Sequence, residues 1–261
     1  MNKNEFEMIE ILKILKNEFG VVEIKAEFEA EGSRIEELMR LKDITSKVNL
    51  PIILKIGGAE AVTDVYNGII LGVEGLVAPM VETPYSVSKY LGVIDSLIQP
   101  DNRENIDFAI NIETITAVKN IEDIMNLNKL NLLSSITFGR SDFVQSMGLN
   151  KHEVDSDTTF AYVQKVAKLV KLNNLKFAIG GNITKNSIEF IKKLQESKLI
   201  DKYETRKVVF ESSHINNDPE NGLEFALKFE LLWLKSKRRF YSKIREEDES
   251  RILELEKRIK I

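Results

Sequence analysis

Residues 108–148 read FAINIETITAVKNIEDIMNLNKLNLLSSITFGRSDFVQSMG, and the fold turns on how this stretch is parsed. Two short apolar runs, Ala109-Ile110-Asn111-Ile112 and Ile136-Thr137-Phe138-Gly139, bracket a segment with helical spacing. A strand–helix–strand unit of this size makes its strands parallel, so both emerge at the same edge of the sheet. Each is followed by an acid, Glu113 after the first and Asp142 after the second. In α/β proteins that edge is where ligands bind. Each acid also has a plainer reading, because Asp and Glu are favoured in the first turn of any helix.

Working outward, the same alternation continues in both directions. Toward the N-terminus the pattern predicts strands over 75–81, 51–56 and 21–29, with helices over 85–98, 59–71, 33–48 and 3–18. Ser33-Arg34-Ile35-Glu36 reads as a capping box at the start of the 33–48 helix. Toward the C-terminus a helix over 158–172 leads to a strand at 177–179. A helix to about residue 199 leads to a strand at 207–210, and one long helical pattern starts near Gly222. That makes seven strands alternating with helices, with no hairpin signal, and the arrangement expected is a parallel sheet covered by helices. Charged residues at several strand ends favour a (β/α)8 TIM barrel over an open sheet. Its eighth strand is either replaced by the N-terminal helix or hidden in a segment read as helix.

The 21–29 strand has an apolar face (Val22, Ile24, Ala26, Phe28) and a charged one (Glu23, Lys25, Glu27, Glu29). On a surface strand the charges would be wet; in a barrel they would enter the mouth. Alternation alone leaves both open.

Composition narrows the chemistry. At 261 residues, 43% hydrophobic and 30% charged, the chain suits one barrel-sized domain. Without cysteine there is no disulfide, thiolate nucleophile or sulfur-ligated metal centre, and two histidines are too few for a His-rich metal site. A formal net charge of −4 argues against a nucleic-acid partner. No apolar run approaches the roughly 18 residues a membrane span requires, and the polar, acidic N-terminus carries no secretory signal. The expectation is a cytoplasmic protein with neither nucleic-acid nor membrane partners.

Four motifs in order carry a resemblance. Leu54-Lys55-Ile56-Gly57, then 72–83 (GVEGLVAPMVET), then Ile112-Glu113-Thr114, then Gly139-Arg140-Ser141-Asp142 with Ser146-Met147-Gly148 soon after, resemble the HpcH/HpaI aldolase and citrate lyase β-subunit family. The similarity spans about residues 20–215. It implies a (β/α)8 barrel and divalent-metal-dependent formation or cleavage of carbon–carbon bonds on a 2-keto acid such as pyruvate or oxaloacetate. By that resemblance Glu113 and Asp142 bind Mg²⁺ or Mn²⁺. Lys55 takes the place of an arginine that stabilises the enolate oxygen, and Asn111 that of a glutamine that orients substrate. The backbone after Gly139, with Arg140 and Ser141, would hold the substrate carboxylate at a helix N-terminus. The family's Asp-x-Glu-His falls on Glu27-Phe28-Glu29-Ala30, so its histidine base is missing. Glu27, Glu29, Lys25 and His214 are the candidates to replace it. Lys25 also permits a Schiff-base route, which would leave the two carboxylates unexplained.

Two further features bear on ligands and partners. Gly180-Gly181-Asn182 reads either as an anion cradle, with Arg206 helping if it points inward, or as a tight strand-to-helix turn. The C-terminal pattern is densely apolar from Leu223 to Trp233, basic over 235–239, then keeps a seam at Ile252, Leu255 and Ile259. Residues 1–220 are therefore expected to form the barrel and 221–261 a helical extension packing on a neighbouring subunit of a homo-oligomer, which the family's trimers and hexamers also imply.

Overall fold

The structure is a computed structural model in which residues 1–259 are described. Eight strands close a barrel in sequence order: β1 (Val21–Glu27), β2 (Ile52–Lys55), β3 (Gly75–Ala78), β4 (Asp107–Ile112), β5 (Ser135–Gly139), β6 (Lys176–Gly180), β7 (Lys202–Glu204) and β8 (Val208–Glu211). The helices are α1 (Lys3–Phe19), α2 (Ile35–Ser46), α3 (Val62–Leu71), α4 (Pro84–Leu97), α5 (Pro100–Arg103), α6 (Ile115–Lys119), α7 (Ile121–Met125), α8 (Arg140–Ser146), α9 (Asp157–Leu172), α10 (Ile188–Glu196) and α11 (Pro219–Ile259). No described helix is long and apolar enough to cross a membrane.

The strand missing from the sequence reading is β7. It lies in the short connection between α10 and the 207–210 run, a stretch read as neither helix nor strand. Three residues, Thr205, Arg206 and Lys207, join it to β8. A parallel crossover needs a dozen or more residues, so so short a link permits only a hairpin. Accordingly β8 runs antiparallel to both β7 and β1, while every other neighbouring pair is parallel. Tyr203 and Phe210 are register partners and stack with ring centroids 4.9 Å apart, a cross-strand pair that pins the hairpin. The reversal corrects two expectations, an all-parallel sheet and the absence of hairpins. It also carries the end of β8 away from the mouth: the Glu211 N–H donates to the Gly20 carbonyl ahead of β1. His214 follows there, with its ring against Gly20.

The two-faced reading of the first strand is resolved. Ile24 and Ala26 face outward into the apolar layer beneath the helices, while Glu23, Lys25 and Glu27 face the barrel interior. An outer layer of helices demands an apolar cover, so the charged face had to turn inward. There it meets the inward face of β7. Lys202 pairs with Glu23, and Lys25 Nζ lies 2.7 Å from Glu204 Oε1. These pairs reach over the intervening β8, where small Val209 is register partner to both Glu23 and Glu204. Two strand spacings are about 10 Å, a gap that a lysine and a glutamate extended toward each other can bridge.

Local caps refine the helix starts. The 33–48 helix begins one residue late: Arg34 is its N-cap, and Glu37, rather than Glu36, reaches back to accept from the Arg34 N–H. The long helix starts at Pro219 and runs antiparallel along α1. Near their far ends Asn2 donates to Ser236 Oγ (2.8 Å), and Tyr241 and Lys237 both bond Glu37. The hydrogen bonds from Lys237 and Tyr241 hold the Glu37 carboxyl below its usual range against the upward push of burial.

Candidate active site

The mouth of the barrel opens into a polar cavity of about 1600 Å³, which continues along the first turns of α11. Lys25, Glu27, Glu29, Lys55, Asn111, Glu113, Ser141, Asp142, Glu204 and Arg206 all line it. The strand–helix–strand unit of β4, α6–α7 and β5 therefore does bring Glu113 and Asp142 to one edge, as parallel pairing requires.

Glu113 follows the last residue of β4 and is 3% exposed. It is not a helix cap: Thr114 is the N-cap of α6, accepting from Ala117 N–H. Glu113 Oε1 instead accepts from the Met80 N–H at 2.9 Å, and Oε2 from Asn111 Nδ2 at 3.2 Å. Met80 adopts φ +52°, a left-handed conformation uncommon for a side chain of this size. The Pro79-Met80-Val81 run thus has a local task, which is to aim a backbone donor at the carboxylate. Gly139 leaves room for the same group: a Cβ there would lie 2.5 Å from Glu113 Oε2 and 2.7 Å from its Cβ. Burial pushes the Glu113 carboxyl above its usual range and the neighbouring charge of Asp142 adds to this, while Lys55 and the Met80 N–H oppose it.

Lys55, the last residue of β2, provides a cation beside Glu113. Its Nζ is 2.9 Å from Glu29 and 4.0 Å from Glu27. Burial alone would lower its ammonium, but Glu113, Glu27 and Glu29 outweigh that and raise it, so Lys55 is charged at neutral pH. Glu27 lies 3.9 Å from Lys25 as well. An alternating row therefore runs across the mouth: Glu204, Lys25, Glu27, Lys55, Glu29. Within that row Glu27 and Glu29 hold Lys55 in place. Lys25 is engaged by Glu204 rather than standing free as the amine that a Schiff base would need.

Three other candidates fall differently from expectation. Arg140 is fully buried and points away from the cavity. It donates to the carbonyls of Gly180, Gly181 and Val154, to Asp155 and to Ser187 Oγ, clamping the loops after β5 and β6 together. Its side chain therefore braces the site from behind and does not line the cavity. Ser141 and Asp142 remain at the cavity in the first turn of α8, whose N-terminus no side chain caps. Gly181, at φ +81°, packs its Cα directly against that turn, and a Cβ would lie 2.4 Å from Ser141 N. The Gly180-Gly181 pair is thus a close-packed turn that supports α8. Arg206 stands half exposed at the rim and bonds Glu31 at 3.2 Å; Lys207 beside it pairs with the other oxygen of the same carboxylate. His214, at the opposite end of the barrel, is 3.6 Å from Glu211.

Glu204 is the residue that sequence reasoning missed, because its strand was missed. The signal was present as complementary spacing: Lys202-x-Glu204 mirrors Glu23-x-Lys25 in charge.

A profile of the HpcH/HpaI aldolase/citrate lyase family matches residues 24–192, from β1 into α10. The chain belongs to the HpcH/HpaI aldolase/citrate lyase family. Its fold is shared with the HpcH/HpaI aldolase of Desulfitobacterium hafniense, at 10% identity and a TM-score of 0.61 over 84% of this chain and 88% of that one. The citrate synthase SbnG, crystallised as a variant, is 19% identical with a TM-score of 0.59, over 85% and 89% of the two chains. Macrophomate synthase is 16% identical with a TM-score of 0.58, over 91% and 82%. A search of curated protein sequences finds no match. The HpcH/HpaI family is one of lyases and aldolases that generally depend on a divalent metal.

Proposed function

We propose that this protein is a Mg²⁺- or Mn²⁺-dependent carbon–carbon lyase, or its reverse condensing enzyme, acting on a small 2-keto acid such as pyruvate or oxaloacetate. The observation that carries the reading is the grouping of Glu113, Asp142 and Lys55 in one cavity, at the ends of β4 and β2 and in the first turn of α8.

The donor set fits a hard cation. It is all oxygen, Glu113 is fixed by two donors, and Asn111 Oδ1 is a buried acceptor with no partner. Among the described residues no cluster of three or more His, Cys, Asp or Glu forms a closed cage. Two carboxylates with the remaining positions left to water and substrate is how Mg²⁺ is commonly held. Bound there, the ion would polarise a chelated keto acid and stabilise its enolate. The chain supplies the rest. Lys55 faces the developing negative charge as a fixed cation, and Glu27 and Glu29 keep it oriented. Ser141, in the first turn of α8, lines the cavity and is suited to bonding the substrate carboxylate. Asn111 orients Glu113.

The test is oxaloacetate decarboxylation and retro-aldol cleavage of 4-hydroxy-2-keto acids, measured with EDTA and after adding back Mg²⁺ or Mn²⁺. Activity should vanish with EDTA and return with metal, and Glu113→Gln should abolish the return. Activity indifferent to EDTA would remove the metal from this reading. A second reading, a keto-acid-binding protein without turnover, is favoured by Ala30 where the family has its histidine. Tight pyruvate binding by calorimetry without exchange of its methyl protons would support that instead.

The reading extends to assembly. From Lys243 onward α11 is exposed, with Ile252, Leu255 and Ile259 on its surface. A helix in water gains most of its stability from packing an apolar seam, and a second copy of this chain is the partner proposed for it. Light scattering should show a smaller assembly for a chain ending at Ser242; an unchanged mass rejects the helix as the contact.

A further inference from the structure

The cavity holds an acid that neither the strand-end pattern nor the family motifs point to. Glu204 lies on β7, is 7% exposed and lines the mouth. Its Oε1 is held at 2.7 Å by Lys25 Nζ. Only Oε1 of Glu204 is bonded among the described residues, which leaves Oε2 free where the group opens onto the cavity.

The barrel makes a specific space for it. A Cβ on Gly180 would lie 2.9 Å from Glu204 Oε1 and 3.1 Å from its Cγ. Gly180 is the register partner of Gly139, the residue whose missing Cβ accommodates Glu113. Paired glycines on adjacent strands, about 5 Å apart, thus open two neighbouring gaps, one filled by each carboxylate. Glu113 and Glu204 thereby face the same space from β4 and β7. The other acids of the row are both tied to Lys55, the cation assigned to the enolate oxygen: Glu27 lies 4.0 Å from it and Glu29 is bonded to it at 2.9 Å, whereas Glu204 is paired with Lys25. Glu204 has one cation at one oxygen.

Resting on the keto-acid reading above, we infer that Glu204 is the proton-transfer group of this cavity, with Lys25 as the positioning residue that turns Oε2 toward substrate. The C–H bond on the carbon next to the keto group breaks and its proton passes to Oε2. The electron pair becomes the enolate C=C, with the negative charge on the former carbonyl oxygen, where Lys55 faces it. In the opposite direction Glu204 returns the proton. The pair takes over a task for which position 30 offers only an alanine methyl.

The experiment is proton NMR of pyruvate in D₂O with the full-length protein and Mg²⁺, following methyl exchange, with calorimetric binding in parallel. Glu204→Gln should lower the exchange rate about 100-fold or more, the scale of general acid–base catalysis, while pyruvate affinity changes by less than about threefold. Glu204→Asp, which keeps the carboxylate one methylene shorter, should retain more exchange than Glu204→Gln. Lys25→Met should slow exchange and alter its pH profile, and Lys25→Arg should recover most of the rate. Wild-type exchange with Glu204→Gln equally fast overturns the assignment, as does loss confined to Glu27→Gln. Wild-type protein that neither binds pyruvate nor exchanges its protons overturns the keto-acid reading itself, a result separate from the first.

Discussion

Two sides of one barrel handle interior polarity in different ways. On the β4–β5 side the inward residues below the site are small, Ala109, Ser135 and Thr137; apart from the exposed Asp107 at the start of β4, the acids sit at the mouth, where Met80 and Asn111 hold Glu113. On the β7–β8–β1 side charge runs down into the barrel as Glu23, Lys202, Lys25 and Glu204, paired across β8. A buried carboxylate needs either donors or a counter-ion. The first side uses backbone and amide donors with a single lysine nearby; the second uses counter-ions supplied by its neighbours. A site built on the first pattern leaves an underused carboxylate for a ligand. The second pattern neutralises itself and leaves little net charge to bind with.

Breaking one ion pair should cost most. Lys202→Met strands Glu23 inside the barrel, and a loss of about 3 kcal/mol in chemical denaturation is expected. Glu23→Leu combined with Lys202→Met should recover most of that loss, since a buried pair replaced by apolar side chains is often near neutral. If the single and double variants are equally destabilised, the self-neutralising description of this side fails.

The paired glycines sharpen the contrast. Gly139→Ala would drive a methyl against the Cβ of Glu113, which has no room to move, whereas Gly180→Ala meets the flexible end of Glu204. Overpacking of this kind costs roughly 1–3 kcal/mol, and Gly139→Ala should lie at the upper end and Gly180→Ala at the lower. The reverse order in thermal melts would contradict it.

Lys207 gives the smallest effect and a pH dependence. Burial pushes its ammonium below the usual lysine range, with Glu31 opposing. For a base with a depressed folded value, the stabilising contribution is present above the unfolded value, near 10.5, and is lost as pH falls through the folded one. At neutral pH the charged Lys207 is therefore held at a cost. Unlike Glu23, Glu31 keeps a second cation, Arg206, when its lysine is removed, so Lys207→Met should be as stable as the parent at pH 7, or more so by under about 1 kcal/mol, and the difference should close as pH approaches 11. Urea melts at both pH values measure this; a variant that is weaker at pH 7 contradicts it.

The edge that carries Glu113 and Asp142 was legible because it is local. Each acid follows an apolar run, and the strand–helix–strand unit fixes which ends lie together. The counter-ion side was not legible. Lys202-Tyr203-Glu204 offers one apolar residue in three, too few to show a period of two, and it is a strand only because β6 and β8 pair with it on either side. Arg140 misled for a related reason. An arginine in a ligand-binding motif suggests an anion, but the carbonyls of the β6 loop, distant in sequence, claimed its donors.

By itself the sequence determined the alternation of strands and helices, the position of Glu113 and Asp142 at one sheet edge, and the family through four ordered motifs. These depend on periodicity and on connections within tens of residues. Only the tertiary structure decided which face of β1 turned inward, that β8 reversed, and that Glu204 joined the cavity. Each of those depends on which distant strand or helix lies alongside, and closing the ring brings β1 against β8, whose contacts are set by the barrel as a whole and not by any local run of residues.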